Sequence, residues 1–203
     1  RTFRKGGCPA ARAHESTGPG AQAERGVTIP AVEVFVCATG GINAAQVSSM
    51  LPLVSTDERL RQERFAFAED RRDYVASHAL LRLALARRVS TAPELLRFDA
   101  TESGKPFLVP VRDGAATPSF SLAHSRDLVA CALRVAGPVG VDVERIDECT
   151  RTVSVAERFF APEEVAELER CASDERAERF CELWTLKEAY VKALGVGLGE
   201  SLG

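Results

Sequence analysis

The chain has no run of 18 apolar residues, so no stretch of it has the length and hydropathy of a membrane-crossing helix. Its opening segment, RTFRKGGCPAARAHESTGPGAQAERG, lacks the apolar centre of a secretory signal and is rich in Gly, Ala and Arg. Residues 1–30 read as a disordered leader. No methionine opens the chain, which starts at Arg1 and closes on GLGESLG, and both ends look cut. There is no C-x-x-C pair and no clustering of His with Cys among Cys8, Cys37, Cys131, Cys149, Cys171 and Cys181, which argues against a structural zinc site. Several of these cysteines sit in apolar patterns where a free thiol acts as a small hydrophobe, and a cytoplasmic, reducing setting is expected. Nor is there an excess of basic charge. A formal net charge of −3 gives no global footprint for nucleic acid or a membrane surface. Arginines recur locally from Arg59 to Arg88, either as a solvated helix face or as a surface for an acidic partner.

What is present is enough for a sizeable core: 203 residues, 45% hydrophobic and 27% charged. Val32 to Ala38 alternates as a strand, Ser55 or Thr56 caps a helix with Asp57 and Glu58 in its first turn, and a long helix runs from about Glu69 to Val89. Short strands are expected near Leu95 to Asp99, Ser119 to Ala123, Leu128 to Val135 and Val139 to Glu144. A proline-led helix, APEEVAELERC, and a second long helix follow. This order predicts an α+β fold in two parts, residues 31–146 and an incomplete 147–203.

The run FCELWTLKEAYVKALGVG, Phe180 to Gly197, carries the strongest chemical signal. At roughly 100° per residue, Phe180, Leu183, Trp184, Tyr190, Val191 and Leu194 share one wide apolar face. Glu188 and Lys192 border that face, and Lys187 falls inside it, where its ammonium must reach outward or meet an anion. Glu188 and Lys192 also form an ordinary i, i+4 helix pair. Upstream, GVDVE at Gly140 to Glu144 alternates apolar and acidic residues, so a strand there puts Asp142 and Glu144 on one face. With Glu188 they form the incomplete oxygen shell that Mg²⁺ prefers when it also binds phosphate, though DVE also suits the solvent face of an edge strand.

These segments resemble the 4′-phosphopantetheinyl transferases of the surfactin-synthetase-activating (Sfp) type. GVDVERI, RFFAPEEVAEL and FCELWTLKEAYVKALGVGL follow that family's signatures in order and spacing, as do GKPF at Gly104 to Phe107 and FSLAHS at Phe120 to Ser125. The resemblance implies two similar α+β halves with the ligand between them, and a monomer. It implies Mg²⁺-dependent transfer of the phosphopantetheine arm of coenzyme A to a serine of an acyl or peptidyl carrier protein, releasing 3′,5′-ADP. Asp142, Glu144 and Glu188 would hold the metal, Lys192 would sit at the pyrophosphate with Lys187 in support, and Lys105 and His124 would contact coenzyme A. Glu188 or a metal-bound water would be the base.

Two positions depart from the family pattern. Ala123 stands where serine is common, and Asp73 replaces an arginine on the ligand-facing helix. Arg71 and Arg72 are the remaining candidates for coenzyme A phosphate there, although they point about 200° and 100° away from position 73. Members of the family normally continue with several strands beyond the GVGL segment, so this form is expected to be a fragment of weak activity. A degenerate transferase that binds carrier protein or coenzyme A without turnover is the competing reading. A basic-helix nucleic-acid binder is a third.

Overall fold

A computed structural model of the chain describes residues 32–149 and 156–195; the leader and the segment after Gly195 lie outside the described residues. The elements are β1 (Val32–Ala38), α1 (Ala44–Met50), α2 (Thr56–Gln62), α3 (Ala68–Val89), β2 (Phe98–Ala100), β3 (Pro106–Leu108), β4 (Ser119–Ser125), β5 (Leu128–Arg134), α4 (Ile146–Cys149), α5 (Ala156–Phe159), α6 (Pro162–Arg170) and α7 (Arg176–Leu194). The fold is α+β, as the element order predicts.

β1, β5 and β4 form an antiparallel sheet in that order, and β2 pairs with β3 in a separate hairpin. The 22-residue α3 lies across one face of the larger sheet. Leu81, Ala84 and Leu85 of α3 meet Phe120, Cys131 and Leu133, with Phe35 and Leu122 packed around them. Packing of its apolar inward residues stabilises this helix, and the polar groups buried on it, Asp73, Ser77 and Arg82, find hydrogen-bond partners. α2 begins where Ser55 and Glu58 satisfy each other's backbone N–H groups in a reciprocal cap.

Glu58 also reaches α3. It accepts from Arg82 Nε at 2.7 Å and lies 2.9 Å from His78 Nδ1. Arg82, 2% exposed, donates further to the carbonyls of Pro93 and Leu96, at 2.7 and 3.0 Å. Burial alone would raise the Glu58 pKa. Hydrogen bonds from His78, Arg82 and the Ser55 N–H outweigh it and bring the value down to about 2.

A second cluster forms around α7. Phe160 stacks on Phe180, Phe180 stacks on Trp184, and Leu168, Leu183, Cys149 and Cys181 close the group. α7 starts at Arg176, one turn before Phe180, and stops where Gly195 takes φ 75° and returns its N–H to Val191.

Three expectations are corrected. Val139 to Glu144 is not a strand: its backbone is seated on α7 at Gly140, and Val141 N–H donates to Ser121 Oγ on β4 rather than joining a ladder. The strand near Leu95 begins three residues later, because Pro93–Leu95 forms a 3₁₀ turn, and its partner Pro106–Leu108 was not anticipated. The cysteines are not all free: Cys149 and Cys181 are joined as a disulfide, with Cα atoms 5.5 Å apart. Among the described residues Cys37, Cys131 and Cys171 are free thiols, and burial pushes Cys131 up to about 12, so it is chemically inert packing.

Candidate functional site

The segment 138–145 leaves β5 and runs between β4 and α7. Gly140 is the contact that allows it. A Cβ at this position would stand 1.7 Å from the Ala189 carbonyl oxygen and 2.7 Å from Ala193 N, so the bare backbone is seated on the helix. Two residues on, Asp142 Oδ1 meets Lys192 Nζ at 2.6 Å. Glu144 Oε2 accepts from Ser125 Oγ at 3.4 Å. The two serines that hold this segment, Ser121 and Ser125, belong to the FSLAHS strand, and with Ala123 they are buried on the side away from α3.

The acidic centre is electrostatically unsatisfied. Burial first, and the charge of Asp142 second, push Glu144 above the ordinary glutamate range, and the same two causes in the same order raise Glu188. Asp142 Oδ2 is buried with no hydrogen-bond partner. A buried carboxylate oxygen without a donor is costly unless a ligand completes it. Among the described residues no three candidate ligands already stand in metal-holding geometry. The orphaned oxygen and the raised carboxylates nevertheless fit a hard, oxygen-ligated cation whose remaining ligands are water and phosphate.

Lys192 also lines a cleft of about 320 Å³ with Lys105, Ser103, Phe120, Ser121 and Leu122. Lys105 sits after Gly104, whose φ of 82° makes the turn, and its Nζ donates to the Ala193 carbonyl at 2.8 Å. Burial lowers its pKa. Two lysines 87 residues apart in sequence thus face one cleft along the free edge of β4. His124 is on the other side of that strand. With Leu122 it faces α3 and lines a larger cavity of about 830 Å³ with Arg61, Tyr74, His78 and Arg126. Leu122 is a wall of both cavities, so an elongated anionic molecule could round the β4 edge and meet Lys105, Lys192, Arg61 and His124.

The structure brings together Asp142, Glu144, Glu188, Lys192 and Lys105. It puts three other candidates elsewhere. Lys187 meets an anion, as its position in an apolar face requires, but the anion is Glu164 of α6 at 2.7 Å, with the Phe160 ring 5.4 Å away. Arg71 donates to the Phe65 and Ala66 carbonyls. Arg72 bonds Asp73 and Asp127, clamping the β4–β5 turn where Asp127 has φ 64°. Asp73 thus pairs with Arg72 while also lining the cavity that holds His124. Arg61 belongs to the Arg59 to Arg88 run read from the sequence as a solvated helix face or a surface for an acidic partner, and Arg126 was not singled out. Arg61 carries no motif, and Arg126 follows FSLAHS directly, where its proximity to His124 was the available signal.

A segment carrying two carboxylates laid on a helix carrying a third and a lysine, both set against the edge of a three-stranded sheet, defines a class, and comparison with known proteins gives it a name. Residues 138–203 match the model of the 4′-phosphopantetheinyl transferase superfamily, and residues 43–135 match that of the 4′-phosphopantetheinyl transferase N-terminal region. The chain belongs to the 4′-phosphopantetheinyl transferase family. It is 32% identical over 174 residues to a Synechocystis sp. protein named as a candidate 4′-phosphopantetheinyl transferase, covering 86% of this chain and 69% of that one. It is 33% identical over 156 residues to the 4′-phosphopantetheinyl transferase HetI of Nostoc sp., covering 77% and 65%. The chain spans about two thirds of the length of these relatives. A holo-(acyl-carrier-protein) synthase from Bacillus anthracis, solved in complex with CoA (3′,5′-ADP), aligns with 52% of this chain and 96% of its own at TM-score 0.37 and 15% identity, too loose a likeness to locate a ligand here.

Proposed function

We propose that this protein transfers the 4′-phosphopantetheine arm of coenzyme A to a serine of an apo acyl or peptidyl carrier protein, as the Sfp type does, with Mg²⁺ required. The observation that carries this reading is the raised pair Glu144 and Glu188 beside Asp142, whose Oδ2 has no partner. In the proposed step the serine Oγ attacks the phosphorus next to the pantetheine arm, the P–O bond to 3′,5′-ADP breaks, and the serine proton passes to a base. A bound Mg²⁺ would neutralise charge on the pyrophosphate oxygens.

The chain's own residues supply the rest. Asp142, Glu144 and Glu188 would hold the cation. Lys192, once released from Asp142, and Lys105 across the same cleft would stabilise the departing phosphate. Glu188 has the proton affinity to serve as the base, because its pKa is raised. His124, with Arg61 and Arg126, would take the phosphate at the nucleotide end. On this reading Lys187, Arg71 and Arg72 act at one remove, by holding α6, the Phe65–Ala66 backbone before α3 and the β4–β5 turn. The reading treats residues 31–146 and 147–203 as the two halves, and it places a monomer in the cytoplasm. Among the described residues no helix is long and apolar enough to cross a membrane.

The test is the intact mass of an apo carrier protein after incubation with this chain, coenzyme A and Mg²⁺. Gain of one phosphopantetheine, about 340 Da, lost with a chelator and in Glu188→Ala, is the expected result. Coenzyme A binding without any mass gain would favour the non-catalytic binder instead. No binding of coenzyme A would defeat the transferase reading, and no binding of carrier protein either would defeat both.

A further inference from the structure

The disulfide lies against the acidic segment. Cys149 follows Asp142 by seven residues and Glu144 by five; Cys181 precedes Glu188 by seven and Lys192 by eleven. On a helix, steps of seven and eleven return to within about 20° of the starting direction. Cys181, Glu188 and Lys192 therefore occupy one stripe of α7. The bond pins the far end of the acidic segment to the stripe that the near end already touches through the Asp142–Lys192 pair, while Gly140 rests beside that stripe on Ala189 and Ala193.

The packing of Cys149 in the α7 cluster also holds that end, and the bond acts with it against a repulsion. Asp142, Glu144, Glu178 and Glu182 all line one cleft of about 280 Å³, and their like charges push the segment away from the helix. The Asp142–Lys192 pair is attractive, but it opens whenever Lys192 turns to an anionic ligand. Cys181 is a wall of the same cleft, so the bond has a route to a small solute. Both cysteines are nearly buried, at 4% and 5% exposure, and sit in the α7 aromatic cluster.

We propose that Cys149 and Cys181 form a redox-responsive clasp that positions the acidic segment on α7, assembling the cation site when oxidised and loosening it when reduced. The oxidant is a small disulfide such as glutathione disulfide. One protein thiolate attacks it, releasing one glutathione thiolate and leaving a mixed disulfide. The second protein thiolate then displaces the other glutathione. Two protein thiols lose two electrons and two protons, and one glutathione disulfide becomes two thiols. A cytoplasmic disulfide is more often such a sensor than a permanent staple. The cation part of the proposal rests on the function proposed above; the mechanical part does not.

The experiment equilibrates the chain in glutathione buffers of graded ratio and reads three quantities on each sample. Thiol tagging with peptide mass analysis should show positions 149 and 181 becoming reactive together, at one midpoint. Hydrogen exchange in the 141–149 peptide should speed up at least about tenfold on reduction, with α3 unchanged. Mg²⁺ binding by calorimetry should weaken about three- to tenfold, and Cys149→Ser and Cys181→Ser should bind as the reduced chain does, whatever the buffer. Tags appearing independently at the two positions, or exchange indifferent to the buffer, would overturn the clasp. Exchange that responds while Mg²⁺ binds in neither state would uphold the clasp and overturn the cation site.

Discussion

Two glutamates set the two regions of this molecule apart. Glu58, between α2 and α3, receives Arg82, His78 and a backbone N–H, and its pKa falls to about 2. Glu188 on α7 has no such set of donors, and burial with the charge of Asp142 pushes its pKa up. Each region has carboxylates beside basic side chains on a helix. In the first, the folded chain supplies the counter-charge, so the network is a stabilising element. In the second, the chain stops short of neutrality, which is the condition under which a cation or phosphate is needed from outside.

The contrast is broken most directly by removing Arg82. Arg82→Ala removes one of the charged donors to Glu58 and the Arg82 bonds to the Pro93 and Leu96 carbonyls, and is expected to cost roughly 3–5 kcal/mol in a urea titration. Asp142→Asn should do the reverse. Its unfolding midpoint should hold or rise, because a repelling charge is gone, while transfer to the carrier falls at least about 100-fold. A variant that loses activity only by unfolding would erase the distinction between the regions.

Gly140→Ala tests how tightly the acidic segment is seated on α7. Overpacking of about 1–3 kcal/mol is expected, with Mg²⁺ affinity weakened alongside stability. Acid titration separates the regions more gently. Glu58 has a folded pKa below its ordinary 4.5, so its stabilisation is complete above 4.5 and is lost as the pH falls toward about 2. Glu58→Gln should flatten that limb. Glu144 and Glu188 have raised values, so Mg²⁺ binding should weaken with a midpoint above 4.5, measured by calorimetry across pH.

The first region was legible because its signals are local. β1 follows from the alternation of VEVFVCA, α2 from the Ser55 and Glu58 cap, and α3 from its length, to within one residue at its start. The second was legible in composition more than in form. GVDVE has the period of a strand, yet its Val141 N–H goes to the Ser121 side chain and its backbone sits on α7, and those contacts decide its shape. Lys187 was rightly expected to need an anion, but the partner, Glu164, lies on another helix and is not encoded by spacing. Cys149 and Cys181 are separated by 32 residues, a distance from which no pairing can be read. The short β3, opening on a proline, carried too little pattern to stand out.

The seat at Gly140 also has a meaning for how this sequence can vary. Where a side chain of any size must displace the backbone of α7, even the smallest step in chemistry is a large step in geometry. A saturation library selected for carrier modification should therefore be nearly empty of substitutions at 140 while tolerating many at Gly41, where an added Cβ meets open space.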